Sequence, residues 1–282
     1  MYLSADQMVV ANQAVLETFE NTCIAWQSIP HWNTGDPGQS RVRDDVVDNP
    51  GFLNLELESV EFQLTLVQTC APTPDSLIAE VNSAATELAR LVDANTLATL
   101  GLAAYGNHTI TFLASSQDAL LNNLIDARAY VEDSGYRAPS CLVTNTQGLK
   151  YLSALNTGYP ITEALLESAH VNSLHRTSLY DVDVDAVDKD GNPAKDTKGN
   201  PIPKPATLMV MLGRRQRIPH GAAPDASPGE EPVDLAVSVL PSLEVVGETT
   251  NSQIELSVRV RFALRVKDPK ALVFLYGIPV YP

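Results

Sequence analysis

Residues 252–268, SQIELSVRVRFALRVKD, form the segment around which the chain is organised. Apolar side chains recur there at every second position, at Ile254, Leu256, Val258, Val260, Phe262, Leu264 and Val266. Side chains alternate between the two faces of a β-strand, and each residue advances about 3.3 Å. The pattern therefore predicts a strand of roughly 40 Å with one buried face and one solvent-exposed face. On the exposed face it places Arg259, Arg261, Arg265 and Lys267, with Ala263 as the one break in the alternation.

A long helix is predicted in the first half of the chain. Thr73-Pro74-Asp75 supplies a capping hydroxyl, a proline at the first helical position and a carboxylate near the positive end of the helix dipole. Helical periodicity then continues to about Ala104, which corresponds to a helix of roughly 45 Å. Because its length matches that of the strand, we expect the helix to lie along the strand.

The charge of the chain is strongly and unevenly acidic. The 282 residues have a net charge of −15, and residues 1–149 contain five arginines, no lysine and 18 acidic residues. Binding of nucleic acid through phosphate contacts requires a basic face, and the first half of the sequence supplies none. The amino terminus lacks a signal-peptide pattern and no apolar run has the length of a membrane span, so we expect a cytoplasmic protein.

The other segments predict a projecting loop and a compact α/β lobe. An amphipathic helix to about Ser28 and an irregular arm precede a two-stranded projecting loop at residues 41–69. Short strands and helices alternate from Asn107 onward, which is typical of an α/β lobe. Residues 180–205 and 219–232 are rich in turn-forming residues and are predicted to be exposed loops. We expect no internal repeat.

Neither a catalytic centre nor a metal site is predicted. Five aspartates between Asp181 and Asp190 suggest calcium, but alignment on Gly191 puts Ala186 and Thr197 at two ligand positions of a calcium-binding loop. The five histidines are scattered, the three cysteines lack metal-ligand spacing, and no nucleophile or phosphate-binding motif is present. We therefore expect a protein that is not an enzyme and has no cofactor.

The arginines of the long strand have two interpretations. They form either an ordinary solvated strand face or a row that meets carboxylates of a neighbouring subunit. The second interpretation predicts an inter-subunit contact between Arg259, Arg261 and Arg265 and the acidic residues of the projecting loop, Asp44, Asp45, Glu56, Glu58 and Glu61.

Two segments resemble a known family. TGYPITEALLESAHV, residues 157–171, and VDLAVSVLPSLEVVGETTNSQIELSVRVRFALRVKDPKALVFL, residues 233–275, are similar to segments of Hong Kong 97-type tailed-phage capsid proteins, within the linocin-like encapsulin branch. The resemblance implies an α+β chain with the Hong Kong 97 capsid fold. It implies an amino-terminal helix and arm at residues 1–40, an extended loop at 41–72, a peripheral domain at 73–106 and 247–282 with the long helix and strand, and an axial domain at 107–246 that contains the exposed insertion 180–205.

The resemblance also implies a function. The expected protein is the major capsid protein of a tailed bacteriophage, which self-assembles through pentamers and hexamers into an icosahedral virion shell around double-stranded DNA in the host cytoplasm. Decoration, portal or protease proteins are its possible partners, and no membrane is involved. The alternatives are an encapsulin shell that holds a cargo enzyme and, as a third class, a soluble α/β enzyme. The first lysine is Lys150, so the lysine of the extended loop through which some capsids of this fold crosslink has no counterpart here.

Overall fold

The computed structural model describes residues 3–46, 50–69, 71, 73–156, 159–217, 230–249 and 252–281. Cys70, the first two residues of the segment 157–171 and most of the predicted loop 219–232 lie outside these ranges. The described residues form two compact units. The first contains those of residues 3–96 and 234–267, and the second those of residues 97–217, 230–233 and 268–281.

Seven helices lie within the described residues. They are α1 (Ala5–Thr22), α2 (Ile24–Ser28), α3 (Leu66–Thr69), α4 (Asp75–Asn107), α5 (Gln117–Asp133), α6 (Thr146–Leu152) and α7 (Thr162–Ser168). Helix α1 begins with a capping box, in which the Ser4 hydroxyl accepts from the Gln7 amide and the Gln7 side chain accepts from the Ser4 amide. The long helix predicted from the Thr-Pro-Asp start is confirmed as α4, 33 residues in length.

The described strands are β1 (His31–Asn33), β2 (Arg41–Arg43), β3 (Phe52–Asn54), β4 (Glu56–Thr65), β5 (Thr109–Ala114), β6 (Ala138–Thr144), β7 (Leu155–Asn156), β8 (Tyr159–Pro160), β9 (Val171–Arg176), β10 (Asp183–Asp185), β11 (Pro203–Pro205), β12 (Thr207–Arg214), β13 (Val233–Glu248), β14 (Gln253–Val266) and β15 (Leu272–Pro279). The long strand predicted at residues 252–268 is confirmed as β14. Its neighbour β13 is also long, at 16 residues.

The first unit contains a four-stranded sheet in the order β1-β13-β14-β4. Strand β14 pairs antiparallel with β4 from Gln253 opposite Thr65 to Phe262 opposite Glu56. Helix α4 runs beside β4, because the Asn95 amide donates to the Glu58 carboxylate at 2.6 Å and one groove is lined by both elements. The long helix therefore lies against the strand that pairs with β14.

The buried face predicted for β14 is confirmed at the start of the strand, and the prediction is wrong at its end. The face predicted to be exposed is half-buried at Glu255, Arg259 and Arg261 and buried at Ser257. Val258, Val260 and Phe262 are buried as expected, but Ala263 is buried as well. Beyond it Arg265 and Lys267 are buried, whereas Leu264 and Val266 are only half-buried. The pairing with β4 ends at Phe262, and the β2–β3 hairpin packs there against Ala263. The face that the alternation assigns to solvent is therefore covered by the chain itself.

The second unit contains a five-stranded mixed sheet in the order β5-β15-β12-β6-β9. Strand β12 pairs antiparallel with both neighbours, and the two outer pairs are parallel. Helix α5 buries Leu120, Leu124 and Val131 against one face of this sheet, where Met209 and Met211 also pack. The predicted alternation of short strands and helices is confirmed.

The compact units differ from the predicted domain ranges in two strands. Strand β13, predicted in the axial range 107–246, lies in the sheet of the first unit beside β14. Strand β15, predicted in the peripheral range 247–282, lies in the sheet of the second unit between β5 and β12.

The insertion 180–205 contains a repeat that contradicts the expectation of none. Asp-x-x-Gly-Asn-Pro occurs at 188–193 and again at 196–201. In each copy the aspartate accepts hydrogen bonds from the amides two and four residues later, at 2.8–2.9 Å, and the glycine has φ of +85°. The two copies are therefore two identical turns, and Val187 joins them to the end of β15 through hydrogen bonds with Pro279 and Tyr281.

Candidate assembly surface

The extended loop, residues 41–69, consists of the β2–β3 hairpin, strand β4 and helix α3. The hairpin pairs Arg41 with Asn54 and Arg43 with Phe52. Its inner side chains, including Val42 and the adjacent Leu55, pack on Ala236 and Ala263 of the sheet in the first unit. Strand β4 is the edge strand of that sheet, so one side of its backbone is available for pairing.

Three large apolar side chains of the extended loop are exposed. Phe52 is 72% exposed, Leu57 46% and Val67 82%. Isolated exposed apolar residues are common on protein surfaces, but three in one loop beside a free strand edge are typical of an interaction site.

The five acidic residues predicted at the contact have different environments. The Asp44 carboxylate accepts hydrogen bonds from the Gly51 and Val46 amides, and the Glu58 carboxylate accepts one from the Asn95 side chain. Asp45, which has φ of +54°, binds Arg265 at 2.6 Å. Among the described residues, Glu56 and Glu61 have no hydrogen-bond or ion-pair partner. These two carboxylates remain free to meet a neighbouring molecule.

The three predicted arginines have partners within the same chain. Arg259 forms an ion pair with Glu244 of β13, and Arg261 donates to the Pro37 carbonyl at 3.2 Å. Arg265 donates to both carboxylate oxygens of Asp234 at 2.6 Å, and also to Asp45 and to the Arg43 carbonyl. The predicted contact joins acidic residues of the extended loop to arginines of a neighbouring subunit. Within one chain, one such acidic–arginine pair forms, between Asp45 and Arg265.

A buried ion cluster surrounds Arg265. Its side chain is 1% exposed, that of Asp234 is 0% exposed, and Lys267 binds the same carboxylate at 2.7 Å. The guanidinium also lies 4.8 Å from the ring centroid of Trp32. Two cations and two carboxylates balance, so the burial leaves no uncompensated charge. The sequence signal for this cluster is Asp234, a charged residue inside the otherwise apolar run VDLAV.

A second buried polar group organises the amino-terminal helices. Asp93 of α4 accepts hydrogen bonds from the Ile24 and Ala25 amides at the start of α2 and from the Cys23 thiol. Burial raises the pKa of Asp93, and the two amide donors oppose that shift. Burial and the neighbouring carboxylate raise the pKa of Cys23 well above its ordinary value, which makes it an inert thiol. This arrangement stabilises the fold and has no catalytic geometry.

The described part of the chain contains no group of three or more histidine, cysteine, aspartate or glutamate side chains arranged to hold a metal ion. None of the described helices combines the length and the apolar character that a membrane span requires.

A long helix beside a sheet of long strands, an extended loop on that sheet and a second, α/β unit define a class of protein, the α+β proteins with the Hong Kong 97 capsid fold. The resemblance inferred from residues 157–171 and 233–275 is therefore confirmed at the level of the fold. No protein-family model and no curated protein sequence matches the chain.

The particular structures that the chain resembles share this fold. The crystal structure of a virus-like particle from Pyrococcus furiosus matches with a TM-score of 0.66 at 14% identity, over 96% of this chain and 98% of that one. A phage-related protein from Bordetella bronchiseptica RB50 matches with a TM-score of 0.66 at 11% identity, over 95% and 96% of the two chains. The capsid structure of Cyanophage P-SCSP1u matches with a TM-score of 0.51 at 10% identity, over 90% and 87%.

Proposed function

We propose that the chain is the major capsid protein of a tailed bacteriophage and self-assembles into an icosahedral shell that encloses double-stranded DNA. The observation that carries the proposal is the fold likeness to a shell-forming particle over nearly the full length of both chains. Its support is structural, because the identities of 10–14% are too low to transfer a specific role.

The extended loop supplies the surface for assembly. Its exposed side chains Phe52, Leu57 and Val67 and the free edge of β4 would be covered by an adjacent subunit. A heterologous contact of this kind, repeated around a symmetry axis, closes into a ring. Stability then comes from interface area multiplied over many copies, and the free carboxylates Glu56 and Glu61 add charge pairing with the neighbour.

We assign the predicted domain roles to the two compact units, so that β13 belongs to the peripheral part and β15 to the axial part. The first unit would serve as the peripheral part of the subunit, with residues 1–40 as the arm and 41–69 as the extended loop. The second unit would gather around five- and six-fold axes as the axial part, with the insertion 180–205 at an exposed position. The acidic first half suits a wall that does not trap packaged DNA, and decoration, portal or protease proteins would be the further partners in the virion.

Sedimentation of the purified protein tests the proposal. Wild type should sediment as particles of megadalton mass, and the double variant Leu57→Asp/Val67→Asp should remain small because buried charges at the interface are costly. Asn122→Asp, an exposed helix position in the second unit, is the matched control and should assemble normally. A wild-type protein that stays monomeric at high concentration would refute the shell function.

An encapsulin-type compartment that holds a cargo enzyme is the second candidate. The fold likeness is equal for a virus-like particle and for a phage-related protein, with a TM-score of 0.66 in each case, so it supports both candidates alike. The contents of particles purified from cells under native expression separate the two candidates. Nuclease-protected DNA supports the capsid, and a stoichiometric co-purifying enzyme supports the compartment.

A further inference from the structure

The second unit has a groove of about 510 Å³ between helix α7 and strand β9. Leu166 of α7 and Val171 and Leu174 of β9 supply its apolar walls. These side chains also pack against the core on the α5 side of the five-stranded sheet, and the two leucines remain only half-buried. The groove can therefore bury an apolar side chain of a bound molecule.

Strand β9, which forms one wall of the groove, is an edge strand of the five-stranded sheet. It pairs in parallel with β6, from Leu174 opposite Leu142 to Arg176 opposite Thr144, and no described strand pairs with its other side. In such a ladder the backbone groups of alternate residues point away from the partner strand. These groups can pair with one more strand at the edge.

Helix α7 is held beside β9 by contacts with α5. Arg128 of α5 donates to the Ser168 carbonyl at 2.9 Å and to the Glu132 carboxylate at 2.6 Å. The same carboxylate lies 3.6 Å from the Nδ1 atom of His170, which joins α7 to β9 with φ of +52°. The groove is therefore formed before any partner binds, which lowers the entropic cost of binding.

The α7 wall of the groove is acidic. Glu163 and Glu167 lie about one helical turn apart, and both are exposed. Neither carboxylate has an ion-pair or hydrogen-bond partner among the residues that the structure describes. Arg217 also lines the groove, so two carboxylates outnumber one guanidinium. This charge favours a cationic group on the bound molecule.

We propose that the groove binds an extended segment of another protein, which adds to β9 as a further strand. One apolar side chain of that segment packs on Leu166 and Leu174, and a lysine or arginine two residues away pairs with Glu163 and Glu167. The spacing of two follows because alternate side chains of a strand share a face. The partner is a peptide segment because a free strand edge pairs with backbone, and the adjoining groove selects its side chains. The proposal is independent of the shell function, since every contact lies within the second unit.

Fluorescence anisotropy with two labelled peptides tests the proposal on the full chain. One peptide is Thr-Thr-Val-Thr-Lys-Thr-Thr, and the other has glutamate in place of lysine. Wild type should bind the lysine peptide at least tenfold more tightly. Glu163→Lys/Glu167→Lys should invert the preference, and the matched control Asp126→Lys/Asp133→Lys, at exposed positions of α5, should keep it. Equal affinities in wild type, no binding of either peptide at about 1 mM, or inversion in the control as well would overturn the proposal.

Backbone methylation of the lysine peptide tests strand addition on the wild-type protein alone. Alternate amides of a strand point to the same side. Methylation of one alternate set should therefore abolish binding, and methylation of the other set should leave the affinity unchanged. Equal effects of the two sets contradict addition to β9.

Sedimentation of Glu163→Lys/Glu167→Lys decides whether the groove receives a second copy of this chain instead. We expect this variant to assemble as the α5 control does. Particles from wild type and control but not from this variant would identify a neighbouring subunit as the occupant and overturn the proposal. Absence of particles from wild type is a failure of the shell function alone, and the peptide measurements on the subunit still decide the proposal.

Discussion

The buried ion cluster at Arg265 joins Asp45 of the extended loop to strand β14 of the same unit. Substitution of Arg265 by Met removes both hydrogen bonds to Asp234 and the pairing with Asp45. The Asp234 carboxylate then remains fully buried with Lys267 as its single cation. Removal of one partner from a buried ion pair costs about 3–5 kcal/mol. We therefore expect Arg265→Met to lower the free energy of unfolding by about that amount.

The same substitution at Arg259 is the matched control. Arg259 lies on the same strand, but its side chain is 34% exposed and its partner Glu244 is 43% exposed. An exposed pair of this kind contributes about 0–1 kcal/mol, so Arg259→Met should have a small effect. The contrast between the two variants isolates the effect of burial.

Tryptophan fluorescence during urea denaturation provides the assay. The two tryptophans of the chain, Trp26 and Trp32, both belong to the first unit, so the signal reports the unit that contains the cluster. With a slope of about 3 kcal/mol per molar urea, the midpoint of unfolding of Arg265→Met should shift down by about 1–1.7 M. Equal midpoints for the two variants would refute the buried cluster as a determinant of stability.

Three further perturbations test other parts of the structure. Because burial raises the folded-state pKa of Asp93 above 3.8, the free energy of unfolding should fall as pH rises from that value through the folded pKa; Asp93→Asn should remove this slope in denaturation curves measured across pH. Gly148→Ala should destabilise the second unit by about 1–3 kcal/mol because its Cβ would lie 2.1 Å from the Thr144 hydroxyl, whereas Gly106→Ala, with open space around it in α4, should be neutral or stabilising in thermal denaturation. Asp188→Ala should loosen one turn of the repeat, and Asp196→Ala the other, each with a faster proteolytic cut in the insertion but an unchanged melting temperature for the rest of the chain.

The long elements were predictable because each is specified locally. Helix α4 follows a proline start and keeps its apolar period for 33 residues, and β14 alternates without a break as far as Phe262. Such patterns depend on neighbours in sequence, and tertiary packing did not override them.

The burial of Arg265 was not predictable from the same pattern. It depends on Asp234, which is 31 residues earlier, and on the hairpin turn at Asp45, which is 220 residues earlier. A lone strand pattern assigns a charged side chain to solvent, and only the position of a remote carboxylate reverses that assignment. The compact units differ from the predicted domain ranges for a related reason, because strand order decides that β13 joins β14 and β15 joins β12.

The repeat in the insertion, by contrast, is visible in the sequence itself. Its two copies share Asp, Gly, Asn and Pro at an interval of eight residues, from Asp188 to Asp196. The aspartates of the repeat have turn-forming roles, in which the carboxylates of Asp188 and Asp196 accept hydrogen bonds from backbone amides. The predicted inter-subunit roles remain predictions for all eight residues, Asp44, Asp45, Glu56, Glu58, Glu61, Arg259, Arg261 and Arg265.

Cryo-electron microscopy of the purified wild-type protein tests the shell function most directly. We expect closed particles of icosahedral symmetry, in which density for residues 41–69 of one subunit contacts the next subunit. A field of isolated subunits at high protein concentration, or particles in which every extended loop contacts its own subunit alone, would contradict it.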